Sequence, residues 1–413
     1  MARERVQRAL ALVWCITAAL VVTPLVMVHA QPLEVSQVQF LQDCKAAWDQ
    51  DFDGWSNNPD CSSSASSKFE CDSSGMIVKI SLQYANLFGP LPDSISNLRV
   101  LSSLDFYRAQ VTGSIPGTIG SLTSLLSLRL VGNPLSGSIP AAFFSLANLA
   151  YVRIEFNQLT GAIPAAIGSL ENLSYLSLYG NKFTNSIPAS IGNLTNLNHL
   201  DLSNNELTDS IPETIGSLAT LTQISNQLTG SIPAAIGSMT ALKLLQLSFN
   251  QLIGSVPATI GSLLALTGMI LNNNQLTGSI PATIGSMTAL QRLLLYENKF
   301  NDSIPGAFGK LTTLRYLYLN KNEFTGSIPT AIGNLTNLAK LALHYNQLTG
   351  SIPSGIGNLT SLRSLGLNNN QLSGSIPAAM GSLADLEYLY LHQNQITGSI
   401  PADMGRLTRL LLL

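Results

Sequence analysis

The sequence predicts an α/β solenoid, a right-handed superhelix of stacked coils with a parallel β-sheet on its concave face and short extended or 3₁₀ segments on its convex face. Three recurring features carry that expectation. The string N-x-L-T/S-G, with small variations, returns at Asn133, Asn157, Asn181, Asn205, Asn226, Asn250, Asn274, Asn298, Asn322, Asn346, Asn370 and Asn394, with a step of 24 residues at every interval but one. Leucines alternate ahead of each asparagine, as Leu200 and Leu202 do among His199, Asp201 and Ser203. A glycine and an Ile-Pro pair follow it, as in Gly113 with Ile115-Pro116 and Gly137 with Ile139-Pro140.

Each feature has a physical reason. Alternation puts Leu200 and Leu202 on one face of a short strand and their neighbours on the other. One coil cannot bury its leucines alone, so coils stack, strands pair in parallel and the leucines join into one core. The asparagine stands where the backbone turns, and its amide is expected to bond backbone groups of neighbouring coils that burial would leave unpaired. Gly113, Gly137 and Gly161 suit positive φ, and the prolines fix an extended return path that no long helix can occupy. Two earlier coils carry Ala85 and Ala109 at the asparagine position, giving about fourteen coils over residues 81–413.

The composition agrees with a packed, leucine-rich interior. Of 413 residues, 46% are hydrophobic and 11% charged, and the formal charge of −2 gives no reason to expect nucleic acid or an anionic membrane as partner. Arg3, Arg5 and Arg8 precede the apolar run Ala9 to Val22, and Val28-His29-Ala30 precede Gln31. That order is the pattern of a secretory signal peptide over residues 1–30, cut after Ala30. Cys15 leaves with it, so Cys44, Cys61 and Cys71 remain in an oxidising compartment. Cys61 and Cys71, the closest pair, enclose a Ser-rich loop and are expected to bridge. Cys44 falls with Val38, Leu41 and Trp48 near helical spacing and is expected to be a buried thiol; its pairing with Cys61 or with Cys71 stays open.

The unit L-x-x-L-x-L-x-x-N-x-L-T-G-S-I-P-x-x-I-G-x-L matches the leucine-rich-repeat signature. Its T-G-S-I-P-x-x-I-G string, as in Thr229 to Gly237 and Thr349 to Gly357, resembles the plant-type subclass. That subclass is found in plant receptor-like kinases, receptor-like proteins and secreted polygalacturonase inhibitors. Residues 31–80 resemble its N-terminal cap through Val38 to Trp48, Trp55, Pro59-Asp60-Cys61 and Cys71-Asp72 leading to Ile80 and Leu82, although Ser62 to Ser67 stand where the family cap carries W-x-G. The unit ending at Asn226 is three residues short, so one strand is expected to lack its L-x-L. Leu407, Leu410 and Leu413 begin a further unit that stops inside its strand, the pattern of a solenoid truncated at its C-terminus.

Catalytic chemistry is not expected, nor is a cofactor or a metal site. His199, His344 and His392 fall on different coils, and His344 and His392 stand two coils apart, roughly 10 Å by strand spacing. They are expected as exposed surface residues. No phosphate-binding or kinase motif and no second apolar span is present. Sequons at Asn172, Asn193, Asn301, Asn334 and Asn358 are expected to face outward on the convex side or edge and to carry glycans.

The expected function is recognition: an extracellular module, secreted or at the cell surface or wall, that binds a peptide, protein or glycan on its concave face. The resemblance implies a receptor ectodomain, with a co-receptor as possible second partner, or alternatively a secreted inhibitor of cell-wall hydrolases. A structural or ice-binding wall protein is a third reading, resting on ladders such as Thr160, Thr184 and Thr208 or Ser114, Ser138 and Ser186. The outward positions differ between halves. Asp105, Arg129, Arg153, Glu155 and Asp201 charge the first, whereas Tyr296, Tyr316, Tyr318, His344, Tyr388, Tyr390 and His392 make the second aromatic and mark it as the expected contact.

Overall fold

A computed structural model describes residues 33–48, 68–218 and 228–412. It begins with an α-helix, α1 (Val35–Trp48), which buries Phe40, Leu41, Cys44 and Trp48 on one side. This face closes the first coil. Trp48 Nε1 donates to the Pro90 carbonyl at 2.8 Å, its ring meets Phe106 edge-on at 6.0 Å, and the Ile77 N–H donates to Gln37 Oε1 at 2.7 Å. Cys44 is a buried, free cysteine whose thiol burial pushes well up. Cys61, Trp55, Asn226 and the leader lie outside the described residues.

An antiparallel hairpin follows, β1 (Phe69–Cys71) with β2 (Ile77–Ser81). Among the described residues every later strand of this face is three residues long and parallel to its neighbour. Ile77–Ser81, Ser103–Asp105, Ser127–Arg129, Tyr151–Arg153, Tyr175–Ser177 and His199–Asp201 follow Phe69–Cys71 in one seven-stranded sheet. A second seven-stranded sheet runs from Leu244–Gln246 through Gly268–Ile270, Arg292–Leu294, Tyr316–Tyr318, Lys340–Ala342 and Ser364–Gly366 to Tyr388–Tyr390. The division falls at the shortened unit, whose residues 219–227 lie outside the described ones. The convex wall is continuous there, for a Cβ on Gly216 would stand 2.4 Å from the Ala235 carbonyl of the next coil.

The inward leucines form one core along the whole stack, with Leu104, Leu200, Leu293 and Leu365 among many fully buried. Among the described residues most of the ladder asparagines are buried, Asn346 and Asn394 only partly, and their side chains bond to backbone. Asn133 Nδ2 donates to the Phe106 carbonyl at 2.6 Å, and its Oδ1 accepts the N–H groups of Ala109 and Val111. The residue ahead of each is left-handed, including bulky ones such as Phe156 at φ 53 and Phe249 at φ 58. The strand therefore reverses within one residue, and that side chain is thrown outward.

Past the asparagine the chain is not merely an extended return. Gly113–Ser114, Leu135–Gly137, Gln158–Ala162, Lys182–Asn185 and Glu206–Leu207 form a separate five-stranded parallel sheet along the flank, and shorter pieces continue it beyond residue 250. Gly113, Gly137 and Gly161 have φ of 73, 76 and 81, the positive values expected. Each Ile-Pro then leads into a 3₁₀ turn with the proline as N-cap, as Pro305 does for Gly306–Lys310. Phe144 replaces the glycine usual in these turns and is buried against Phe143.

Candidate ligand-binding face

Three outward positions per coil form rows along the concave side, two on the strand and one just past it. In the first half two arginines of these rows pair with carboxylates of the same face. Arg129 pairs with Asp105 at 3.3 Å and lies over the Tyr107 ring at 4.1 Å. Arg153 makes a two-pronged pair with Glu155, both contacts 2.7 Å, and the Glu155 carboxylate raises its guanidinium pKa. Tyr151 stacks on Tyr175 at 4.6 Å and Tyr175 on His199 at 4.2 Å. These groups pack on one another, although Asp105 Oδ1 and Arg129 Nε are buried without a hydrogen-bond partner.

The second half is built differently. The middle row reads Tyr318, Ala342, Gly366 and Tyr390 on four adjacent strands in register. Two small residues between two tyrosines open a recess of about 560 Å³. Its floor is Ala342 and Gly366, its ends are Tyr318 and Tyr390, and its flank carries Tyr296, Asn320, His344, Asn368 and His392 from the next row. Among the candidate residues, Tyr296, Tyr318, His344, Tyr390 and His392 come together here. Tyr316 and Tyr388 share the face but belong to the outer row and do not line the recess.

Ala342 and Gly366 were missed, because aromatic content drew attention to the walls. The available signal was the drop to the smallest side chains between two tyrosines of one row. The histidines also depart from expectation: His199 and His344 are half-buried, and His392 alone of the three is exposed. Tyr175 of the preceding coil stacks on His199, and Tyr345 of the same coil meets His344 edge-on at 5.7 Å. His344 Nδ1 is buried and has no hydrogen-bond partner. Burial, then the nearby Lys321 ammonium, hold this imidazole below its usual pKa, so it is neutral near pH 7. Burial raises the phenols of Tyr296 and Tyr318.

All five sequon asparagines are exposed and none lines the recess. Asn193, Asn334 and Asn358 end 3₁₀ turns on the convex wall. Asn172 follows such a turn and donates to the Ala147 carbonyl at 2.9 Å. Asn301 stands on the flank, accepting the Gly278 N–H at 3.1 Å. Among the described residues there is no group of three or more His, Cys, Asp or Glu able to hold a metal, and no helix long and apolar enough to cross a membrane.

Family models agree with this architecture. The leucine-rich repeat region model matches residues 153–252, and leucine rich repeat models match 265–324, 312–372, 124–146 and 385–407. No curated protein matches the chain. Among solved structures, the TDR receptor is 31% identical with a TM-score of 0.76, over 83% of this chain and 60% of its own. The plant peptide hormone receptor RGFR1, in complex with RGF2, is 32% identical with a TM-score of 0.70, over 83% of this chain and 62% of its own. The chain thus spans less than two thirds of either receptor structure. A leucine-rich-repeat protein of Leptospira interrogans is 31% identical with a TM-score of 0.65, over 92% of both chains. Repeat signature, coil geometry and these likenesses lead to one assignment: the chain belongs to the leucine-rich-repeat family, in its plant-type form.

Proposed function

We propose that this chain is an extracellular recognition module that binds a peptide on its concave strand face, with the recess between Tyr318 and Tyr390 as the principal contact. The observation that carries this is the recess itself, with Tyr318 and Tyr390 at its ends and Tyr296, His344 and His392 along one flank. Concave pockets of roughly 300–1,000 Å³ with apolar walls and a few convergent polar groups are the usual form of a binding site. Tyrosines supply large contact area at small entropic cost. The likeness to a plant peptide hormone receptor supports a peptide as ligand. Residues 1–30 would direct export, and a Cys61–Cys71 bridge would fasten the cap.

The test is selection of a displayed random-peptide library on the intact secreted protein. Enriched peptides should lose binding to a Tyr318→Ala/Tyr390→Ala variant and keep it with Arg129→Ala/Arg153→Ala. Peptides indifferent to the tyrosines but dependent on the arginines would move the site to the charged half and overturn the reading.

A further inference from the structure

The flank of the recess has a period, and that period narrows the conformation of what lies against it; this step rests on the peptide-binding reading above. Tyr296, Asn320, His344, Asn368 and His392 stand on five consecutive coils, each two residues past the end of a strand, and all line the recess. Rings and amides alternate, so a ring returns at every second coil. The strands pair in register, and two coils span about 9.6 Å at the usual strand spacing of about 4.8 Å. The row runs for about 19 Å along the stack, whereas a three-residue strand is only about 10 Å long. The long axis of the recess therefore lies along the stack.

A peptide laid on that axis meets all three rings only if its own repeat agrees with theirs. A β-strand shows one face every two residues, about 6.7 Å, and passes His344 about 3 Å out of step. An α-helix repeats every turn of about 5.4 Å, so two turns overshoot each ring interval and His392 is missed by about 2.4 Å. A polyproline-II helix turns once in three residues of about 3.1 Å each, about 9.3 Å, and is only about 0.6 Å out of step at the third ring. Six such residues cover the row.

Hydrogen bonding favours the same conformation. The strands from Arg292–Leu294 to Tyr388–Tyr390 have neighbours on both sides, the last through Leu412, so no open edge lets a peptide join the sheet as a further strand. A polyproline-II backbone makes no internal hydrogen bonds, and proline has no N–H, so such a segment offers carbonyl oxygens alone. The lining can donate to them through the Tyr296, Tyr318 and Tyr390 hydroxyls, the Asn320 amide and the Lys340 ammonium, and it holds no carboxylate. Asn368 gives one amide N–H to Asn369 Oδ1 at 2.7 Å and has a second. Grooves lined by aromatic side chains are the usual seats of proline-rich segments.

We propose that the recess holds a proline-rich stretch of about six residues in polyproline-II form, lying along the stack, with every third residue against one of Tyr296, His344 and His392. The spacing of the rings selects this ligand, and the donors between them take its carbonyls.

The probes are acetyl-hexaprolyl-amide and acetyl-hexaglycyl-amide, titrated into the intact protein and followed by NMR. Hexaglycine has the same carbonyls without the preformed helix and should bind at least about tenfold more weakly. The double variant Asn320→His/His344→Asn keeps the side chains of the row and moves the middle ring by one coil. It should weaken hexaproline binding about fivefold, the scale of one lost ring contact. His392→Ala, at an exposed position, should do the same. Circular dichroism confirms folding; should the double variant fail to fold, His392→Ala and the comparison of the two peptides still decide. Equal affinities for the two peptides, no binding of either, or hexaproline affinity unchanged in a folded variant would overturn the proposal. Library peptides that need Tyr318 and Tyr390 yet show no enrichment in proline would sink this conformation alone. Peptides indifferent to those two residues would sink the reading of the face.

Discussion

The side-chain amide of Asn274 donates to the carbonyl of Leu247, 27 residues earlier, at 2.8 Å. It also donates to Leu271 of its own coil at 3.0 Å, while its Oδ1 accepts the Leu252 N–H at 3.0 Å. One buried side chain thus completes backbone groups of two coils. Asn274→Ala leaves them unpaired in the core, where each orphaned group costs about 1–3 kcal/mol. We expect a loss of about 3 kcal/mol, read as a lower urea midpoint. Asn394 makes the same kind of contacts near the last coil but is only partly buried, so Asn394→Ala should cost less. Equal losses at the two sites would contradict the role of burial.

Two glycines of one 3₁₀ turn, Gly306–Lys310, should respond oppositely to alanine. A Cβ on Gly309 would stand 2.5 Å from the Ala331 carbonyl oxygen of the next coil, closer than any real contact permits. A Cβ on Gly306 meets nothing within 4 Å. Gly309→Ala must push two coils of the convex wall apart and should lower the melting temperature by several degrees, from about 1–3 kcal/mol of overpacking. Gly306→Ala should be neutral or slightly stabilising, because the unfolded chain loses freedom and the folded one loses nothing. Comparable destabilisation by both would show that the wall is not this tightly packed.

Acid should weaken the fold partly through His344. Its folded-state pKa lies below the ordinary value of 6.5, chiefly through burial and then through Lys321. The unfolded chain therefore binds a proton more readily than the folded one, and stability falls as pH drops below about 6.5. The contribution is fully present above the unfolded value and is lost as pH falls through the folded one. His344→Leu should flatten the melting temperature between pH 7.5 and pH 5 relative to wild type. A variant whose melting temperature drops as steeply as that of the wild type would remove His344 from the account.

Period and alternation made the concave sheet, the leucine core and the asparagine ladder readable, because each repeats in every coil and is set by local burial. The flanking sheet was hidden in the same repeats. Glycines and serines such as Gly137 and Ser138 read as a turn, and only the stacking of coils shows that Leu135–Gly137 pairs with Gly113–Ser114. The candidate site was half legible. Tyr318, Tyr390 and His344 announced themselves by type, but a recess is made by absent side chains. Ala342 and Gly366 acquire meaning only once register sets them side by side between the tyrosines.

The glycans offer a last test, because none of their expected positions lies on the face that carries the recess. Asn193, Asn334 and Asn358 close 3₁₀ turns, Asn172 sits just beyond one, and Asn301 stands on the flank. An exposed asparagine in a sequon on a surface turn is open to the glycosylation machinery of a secretory host. Protein made in such a host should run faster on a gel after enzymatic removal of N-glycans, with peptide mapping finding sugar at most of the five sites. Since no sequon asparagine lines the recess, deglycosylation should leave the affinity for the library-selected peptides unchanged. Unaltered mobility would count against passage through the secretory route. Lost affinity after deglycosylation would place part of the contact on the convex wall or the flank, and so away from Tyr318 and Tyr390.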